Sequence, residues 1–340
     1  MRVVLLLPLL PGCLLGPPPE GGAAASFDAV WADFDQHYGL FGVKEDVDWD
    51  ALGADCRALL PDDDADPEAL DAALRCLLGP LRDDHVRVLR PDVDDGMWSA
   101  GRLEELELTD FSEAASGAWV QALREPNPAV RWGWLDPDRA GAADLGYLHV
   151  RRLNADTVDT VDEAMAELSG ADGILVDLRG NGGGYLSVLE PVAGWFSDHD
   201  FVYSRIRRRE GEGRTAYGPW MDWDVEAGAR PFAGPVVVLT HAFTVSGAEH
   251  LTAALRELDA VTHVGSTTAG AFAAATWRDA PNGWLYSISV EDARDAREVS
   301  HEAVGLVPDV EAESTLEETR AGVDRAMEAG VEVLLQQRGG

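Results

Sequence analysis

Basic residues are scarce in this sequence, and their scarcity limits what the protein can bind. Of its 340 residues, 27 are Lys or Arg and 61 are Asp or Glu, which gives a formal net charge of -34. A surface this acidic repels the phosphate backbone of nucleic acids, so we expect no nucleic-acid partner. Apolar residues make up 46% of the chain, which is enough to fill one large core or two ordinary ones.

Long apolar runs are missing beyond the first residues. The opening "MRVVLLLPLLPGCLLG" places Arg2 before an apolar run too short to span a bilayer, which is the layout of an export signal. Within it, Leu10-Pro11-Gly12-Cys13 resembles the bacterial lipobox, whose cysteine is lipidated. The sequence predicts an exported protein, either secreted or tethered at the membrane of the cell envelope by a lipid on Cys13. Residues 1–25 would form the export signal and a flexible tether. An ordinary cleaved signal, with Cys13 discarded, is the alternative.

Cysteine is rare, with three in the chain. Apart from Cys13, Cys56 and Cys76 remain, and both lie in helix-like segments. The export compartment permits disulfides, so one interpretation is a bridge between Cys56 and Cys76. A pair of buried free thiols fits the sequence equally well.

Several motifs of cofactor-dependent enzymes are absent. The sequence has no Gly-Lys-Ser/Thr of a phosphate-binding loop, no H-E-x-x-H, and no His, Cys or Asp cluster with metal-ligand spacing. We therefore expect neither a metal nor an organic cofactor. The G-x-S-x-G turn of α/β-hydrolases is missing at Ser246, because Thr244 and Ala248 occupy its glycine positions.

The beginning of the chain has a helical pattern. Residues 26–90 are predicted to form a small helical region, with Ser26 and Asp66 as the caps of the first and third helices and a second helix after Asp48. Pro67 follows Asp66 at the first helical position, which proline favours.

The remainder of the chain has an α/β pattern. Residues 91–143 are predicted to form an acidic connector that contains a β-hairpin. Over residues 144–335, strands alternate with helices, which predicts βαβ units around a mainly parallel or mixed sheet with flanking helices. The tail from Leu316 to Leu335 is predicted to be one closing helix.

The most distinctive run is "DGILVDLRGNGGGYL", in which a buried strand is followed by consecutive glycines. Glycines between a strand and a helix let backbone N–H groups approach a ligand closely. Tyr185 stands where a G-x-G-x-x-G nucleotide fingerprint needs glycine, so that interpretation fails. One remaining interpretation is an oxyanion hole, in which the N–H of Gly182 or Gly183 stabilises a carbonyl oxygen under attack. A tight turn that needs glycine geometry is the other.

Ser246 stands where the apolar run "PVVVLT" gives way to a helix-like run. Ser246 and Glu249 fit a capping box, which gives the serine a structural role. The same turn would project the hydroxyl at the carboxyl edge of the sheet, with the N–H of Gly247 beside it at the positive end of the helix. Ser246 is therefore a helix cap and a candidate nucleophile.

His85, in "LLGPLRDDHVRVL", is the candidate proton acceptor. A histidine near its ordinary pKa is well suited to take a proton from serine at neutral pH. For most of the other histidines, including His37, His199 and His263, we expect a surface or packing role.

Together these runs resemble the C-terminal processing, or tail-specific, serine peptidase family. "GILVDLRGNGGG" resembles its D-x-R-x-N-x-G-G run, "LTHAFTVSGAEHL" its T-x-S-x-x-E run and "VGSTTAG" its V-G-x-x-T-x-G run. "LGYLHVRRL" and "HEAVGLVPDV" resemble the segments that open and close its catalytic core. The five runs follow the family's order over most of residues 27–330. The resemblance implies a crotonase-like or ClpP-like core.

Two departures from the family pattern indicate the branch. Branches with a Ser-Lys dyad carry lysine at the position of Ala271, and no lysine follows Lys44 here. The tricorn-core branch instead uses a histidine from an L-x-D-x-H run, which "LRDDH" resembles, and a glutamate near the closing run. By that resemblance His85 is the base and Glu302 orients it. About 60 residues separate His85 from Gly146, which are too few for the PDZ domain of many members.

The resemblance implies a secreted or lipid-anchored serine endopeptidase that cleaves peptides or proteins. Ser246 would attack the peptide carbonyl, His85 would transfer the proton and Glu302 would hold the imidazole, with Glu298 or Asp309 as substitutes for Glu302.

The neighbouring residues would support this chemistry. The N–H groups of Gly247 and of Gly182 or Gly183 would hold the oxyanion. The supporting residues would be Asp177 and Arg179, which shape the glycine run, and Glu249, which caps the helix. Two rival hypotheses are a non-catalytic carrier of an apolar ligand with the same fold and a general esterase. The sequence leaves the oligomeric state open.

Overall fold

The computed structural model describes residues 21–61, 66–103 and 110–338. The predictions about the export signal, the lipobox-like run and Cys13 lie outside the described residues.

The described helices and strands follow the chain in this order. The helices are α1 Ala23–His37, α2 Trp49–Arg57, α3 Pro67–Leu78, α4 Glu113–Gly117, α5 Thr157–Leu168, α6 Leu186–Gly194, α7 Gly247–Arg256, α8 Leu316–Arg320 and α9 Arg325–Arg338. The strands are β1 Arg87–Leu89, β2 Met97–Ser99, β3 Val120–Arg124, β4 Val130–Leu135, β5 Leu145–Val150, β6 Gly173–Asp177, β7 Phe201–Arg208, β8 Met221–Val225, β9 Val236–Thr240, β10 Val261–Gly265, β11 Ala275–Asp279, β12 Leu285–Ser289, β13 Glu291–Asp295 and β14 Val310–Glu311. None of these helices is long and apolar enough to cross a membrane.

Two compact units share the chain, and their boundaries cut across the predicted domains. The first unit contains the described residues up to 103 together with Arg207–Trp220 and Ala273–Asp292, and the second contains the rest. The predicted core of residues 144–335 is therefore interrupted twice. The prediction assumed that each domain is one continuous stretch of chain, whereas β11 and β12 complete a sheet of the first unit.

The first unit joins three helices to a four-stranded antiparallel sheet of order β11-β12-β1-β2. The predicted cap Asp66 is confirmed and Asp48 caps the second helix, because each carboxylate accepts a backbone N–H from the first turn of its helix. The predicted cap Ser26 is wrong. Helix α1 already begins at Ala23, since alanine favours the helix more than any other residue, and Ser26 is buried within it.

A disulfide joins Cys56 of α2 to Cys76 of α3, with their Cα atoms 5.6 Å apart. Of the two interpretations that the sequence left open, the structure has the bridge. The bond ties together two helices that both pack on the core of the first unit. Such a crosslink stabilises the folded state chiefly by restricting the unfolded chain.

The second unit is built on a seven-stranded mixed sheet of order β14-β10-β9-β6-β5-β4-β3. Strands β14, β10, β9, β6 and β5 are parallel, and the predicted hairpin of β3 and β4 adds two antiparallel strands. Successive residues of β6 point to opposite faces: Ile174 and Val176 pack with α5, α6 and α7, while Leu175 packs with α9. Both faces are covered, which explains the continuous apolar run of this strand. The predicted α/β fold with flanking helices is confirmed.

The tail is two helices, so the prediction of one closing helix is wrong. Helix α8 ends before Gly322, whose φ of +80° takes the left-handed backbone that glycine favours. Helix α9 then begins anew, because the carboxylate of Asp324 accepts the N–H of Met327 in its first turn.

We expect the disulfide to contribute about 3 kcal/mol to the free energy of unfolding. The double variant Cys56→Ser/Cys76→Ser should unfold at a correspondingly lower urea concentration than the wild type. A reductant should lower the midpoint of the wild type and leave that of the double variant unchanged. Equal wild-type midpoints with and without reductant would contradict the bridge.

Candidate active site

Ser246 occupies a strained turn between β9 and α7. Its φ of 57° and ψ of -122° lie outside the left-handed helical region, where a residue other than glycine rests most easily at positive φ. Such a conformation costs about 1–3 kcal/mol and persists only where its surroundings impose it. The Ser246 hydroxyl makes no side-chain cap hydrogen bond, and the residue is half-buried. The hydroxyl therefore remains available for chemistry.

The capping box is present at this turn, and its side-chain hydrogen bond is made by Glu249. The Glu249 carboxylate accepts the N–H of Ser246 at 3.1 Å, while the N–H of Glu249 donates to the carbonyl of Ser246 at 2.8 Å. These two bonds close the turn, and the Ser246 side chain faces the N–H of Glu249 in the same capping box without a side-chain cap hydrogen bond.

The Glu249 carboxylate is fully buried and connects Ser246 to the loop after β10. Besides Ser246, it accepts hydrogen bonds from the Thr268 hydroxyl at 2.6 Å and from the N–H groups of Gly270 at 2.7 Å and Ala271 at 2.8 Å. Burial raises the pKa of Glu249 to about 7, and these hydrogen bonds oppose the rise. The same four donors fix the position of the loop beside the serine.

The glycine run lies directly against Ser246. A Cβ atom on Gly183 would stand 2.8 Å from the Cβ of Ser246, 2.8 Å from the nitrogen of Gly247 and 2.7 Å from the carbonyl oxygen of Val245. Gly183 also has a φ of +92°, which L side chains rarely adopt. Glycine is therefore required here for both space and conformation.

Two backbone N–H groups at this site are available to a ligand: that of Gly247, which follows Ser246, and that of Gly182, which precedes Gly183. The N–H of Gly183 already donates to the Asn181 side chain at 2.8 Å, so this glycine is engaged. In the described part of the chain, no residue accepts a hydrogen bond from the N–H of Gly182 or of Gly247. Gly247 is the first residue of α7, where the helix dipole favours a developing negative charge. Of the predicted oxyanion donors, Gly182 and Gly247 are thus the pair that is open.

Asp177 and Arg179 form a buried ion-pair network with Asp324. Arg179 makes paired hydrogen bonds to Asp177 at 2.7 and 2.9 Å and to Asp324 at 2.7 and 3.0 Å. Burial alone would raise the pKa of Asp177, but the Arg179 cation outweighs it and the pKa is lowered. Tyr147 donates a further hydrogen bond to Asp177 at 2.9 Å. The network anchors the strand end from which the glycine run starts.

Glu302 lies beside the same loop that Glu249 holds. Its carboxylate accepts the N–H of Phe272 at 2.9 Å, one residue after Ala271, and the side chain is buried. The two substitutes considered for Glu302 are engaged elsewhere. Glu298 is exposed and pairs with Arg205 at 2.6 Å, and Asp309 accepts the N–H of His263 at 2.9 Å.

His85, the candidate base, belongs to the first unit. Its backbone is held on both sides, because its N–H donates to Asp83 at 2.9 Å and its carbonyl accepts from the Ser287 hydroxyl at 2.6 Å. Within the described residues, the Nδ1 atom is buried and makes no hydrogen bond. Burial lowers the pKa of His85 to about 4, with Arg87 adding to this effect and Asp83 opposing it. The imidazole is therefore neutral at pH 7, as a general base must be.

The histidines for which we expected a packing or surface role behave accordingly. His37 and His199 are exposed and lie next to the carboxylates of Asp33 and Asp198. His263 is buried, and its Nε2 lies 2.6 Å from the Thr240 hydroxyl.

Sequence reasoning assigned no role to Asn181, Thr268 or Asp324. Asn181 and Thr268 are fixed positions of the D-x-R-x-N-x-G-G and V-G-x-x-T-x-G runs. The motifs therefore single out these two residues but do not indicate which hydrogen bonds they make. Asp324 has no such signal, because it lies 145 residues from Arg179 in the chain. Over residues 21–61, 66–103 and 110–338, no three His, Cys, Asp or Glu side chains are grouped as metal ligands.

A strained serine at the start of a helix, with open N–H groups beside it, is the arrangement of a serine hydrolase site on an α/β fold. The comparisons with known proteins agree with this class. The model of peptidase family S41 matches residues 144–312.

The chain is also similar in sequence to named proteases. The chain is 29% identical over 185 residues to a carboxyl-terminal-processing protease of Synechocystis, an alignment that covers 54% of this chain and 41% of the relative. It therefore spans less than half the length of that relative.

The fold is shared with solved structures. A candidate peptidase from Parabacteroides merdae superimposes with a TM-score of 0.81 at 22% identity, covering 92% of this chain and 97% of the other. The tricorn protease superimposes with a TM-score of 0.60 at 14% identity, covering 94% of this chain and 37% of the other. At these identities the likeness establishes the fold.

We expect Gly183→Ala to displace the serine turn, because the added methyl group meets backbone atoms and Ser246 itself. Gly213→Ala is the matched control, since Gly213 has a φ of +94° and no atom within 4 Å of the added Cβ. Gly183→Ala should lose about 1–3 kcal/mol more stability than the control in urea unfolding. Its Ser246 should also react with a fluorophosphonate about 10²-fold more slowly. Equal behaviour of the two variants would contradict the close packing at Gly183.

Proposed function

We propose that this protein is a serine peptidase that cleaves peptide or protein substrates, with Ser246 as its nucleophile. The observation that carries the proposal is the strained turn, in which the Ser246 hydroxyl makes no side-chain cap hydrogen bond and the open N–H of Gly247 stands next to it. Strain of this kind is maintained by the surrounding structure and is concentrated at functional sites. The match to the S41 family model supports the same conclusion.

The reaction would proceed through an acyl-enzyme. The Ser246 oxygen attacks the peptide carbonyl carbon while His85 accepts the hydroxyl proton. The N–H groups of Gly182 and Gly247 stabilise the oxyanion, each contributing about 3 kcal/mol. Collapse breaks the C–N bond, and His85 returns the proton to the leaving amine. Water then hydrolyses the ester, with His85 again as the base.

The choice of His85 and Glu302 rests on the tricorn-core resemblance and on local observations. His85 has a lowered pKa and a buried Nδ1 without a partner in the described residues. Glu302 is buried beside Phe272, next to Ala271. Ala271 stands where the dyad branch has lysine, and its N–H shares the Glu249 carboxylate with the N–H of Ser246. A site with alanine at this position needs its base from elsewhere.

The proposed substrates are proteins processed near their carboxyl termini, because the sequence relatives are named carboxyl-terminal-processing proteases. Export is supported by the disulfide between Cys56 and Cys76, since such bonds persist in oxidising compartments. The lipid on Cys13 and the lack of a PDZ domain stay predictions.

A fluorophosphonate probe tests the proposal. The wild type should be labelled at Ser246, whereas Ser246→Ala should take no label. His85→Ala and Glu302→Gln should be labelled far more slowly, with His85→Ala losing about 10⁴-fold or more in kcat on a peptide substrate. Glu298→Gln is the matched control for Glu302→Gln and should behave as the wild type does.

The outcomes distinguish the rival functions. A wild type that takes no label, while a related protease does, would overturn the peptidase and favour a non-catalytic carrier. Labelling with ester turnover and without cleavage of any protein or peptide would favour an esterase.

A further inference from the structure

Asp83 lies at the centre of a chain of hydrogen bonds that the proposed reaction does not use. One carboxylate oxygen accepts the Tyr38 hydroxyl at 3.0 Å, and the other accepts the backbone N–H of His85 at 2.9 Å. Both Tyr38 and Asp83 are fully buried in the first unit. A buried carboxylate is costly unless it is well hydrogen-bonded. The position of Asp83, two residues before a candidate base, therefore suggests a function for this carboxylate.

Both polar backbone atoms of His85 are hydrogen-bonded to side chains. Asp83 fixes its N–H, and the Ser287 hydroxyl donates to its carbonyl at 2.6 Å while accepting the N–H of Arg87 at 3.0 Å. The imidazole, in contrast, has no hydrogen bond at Nδ1 within the described residues. The structure thus fixes the backbone from which the ring extends, while Nδ1 has no partner in the described part of the chain.

The charges around His85 divide into two opposing groups. Asp83 favours the protonated imidazole and Arg87 disfavours it, while burial disfavours it most. The other nearby carboxylate, Asp84, is directed elsewhere, because it accepts the N–H of Leu103 at 2.9 Å. Within the first unit, the Asp83 charge therefore offsets part of the cost of a positive charge on the buried ring.

We propose that Asp83 is a positioning residue for His85: through the chain Tyr38–Asp83–His85 it fixes the backbone of the base, and its charge stabilises the imidazolium that forms during proton transfer. This inference rests on the proposed function, in which His85 is the base. It assigns Asp83 a role through His85 and no contact with the substrate. This use of an anion near a base resembles that of the acid in a catalytic triad, except that Asp83 accepts the backbone N–H of His85 and not a ring N–H.

The test compares Asp83→Asn with the matched control Asp84→Asn, which also alters a buried carboxylate. The pKa of His85 is measured in each variant from the pH dependence of its imidazole C–H resonances in NMR spectra. Removing the Asp83 charge should lower the pKa of His85 by about one unit, since a nearby opposite charge shifts a pKa by about 1–3 units. Asp84→Asn should leave the pKa of His85 within about 0.3 unit of the wild type, because Asp84 does not face the ring.

Enzyme kinetics provide the second readout. In Asp83→Asn, kcat on a peptide substrate should fall about tenfold with KM unchanged, and the acid limb of the kcat profile should move to lower pH with the pKa of His85. If Asp83→Asn does not fold, Tyr38→Phe carries the test, and its kcat should fall several-fold at constant KM.

An unchanged pKa of His85 in Asp83→Asn, or wild-type kcat in Tyr38→Phe, would overturn the inference. These failures differ from failure of the proposed function. If Ser246→Ala and the wild type proved equally inactive, the peptidase would be wrong, while the NMR titration of His85 would still decide whether Asp83 acts on the imidazole.

Discussion

The buried carboxylate of Glu249 is the constraint on which the candidate site depends. A carboxylate without a cation beside it is costly to bury, and only a full set of donors makes this position tolerable. Ser246, Thr268, Gly270 and Ala271 provide those donors, each within 3.1 Å. Three of them come from a loop that follows β10, and the fourth is the candidate nucleophile itself. One glutamate thereby joins the turn that precedes α7 to the loop that follows β10.

The strain at Ser246 is explained by this arrangement. Hydrogen bonds to a charged group contribute about 1.5–3 kcal/mol each, which is comparable with the cost of about 1–3 kcal/mol for the positive φ. From the other side, the glycine run fills the space against Ser246 so closely that a methyl group on Gly183 has no room. The run is anchored in turn by the ion pairs of Arg179 with Asp177 and Asp324. The serine is thus held between two rigid supports, and its hydroxyl makes no side-chain cap hydrogen bond.

Local patterns predicted most of the second unit and much of its site. The buried runs of β6 and β9, the helix after Ser246 and the hairpin of β3 and β4 all follow from periodicity and turn residues. The prediction failed where the determining contact is distant in sequence. The break in the tail depends on Asp324, which caps α9 and also pairs with Arg179. No residue pattern near Gly322 predicts that pairing. The choice between Gly182 and Gly183 likewise depends on an Asn181 side chain whose direction no pattern gives.

The account's central claim is that the N–H groups of Gly182 and Gly247 form the oxyanion site beside Ser246. A crystal structure of the protein inactivated by a peptidyl phosphonate tests this directly, because the phosphonyl oxygen occupies the place of the oxyanion. The account predicts phosphorus bonded to the Ser246 oxygen and a phosphonyl oxygen at about 2.7–3.1 Å from both nitrogen atoms. A phosphonyl oxygen that faces solvent, or that bonds to neither glycine, would contradict it.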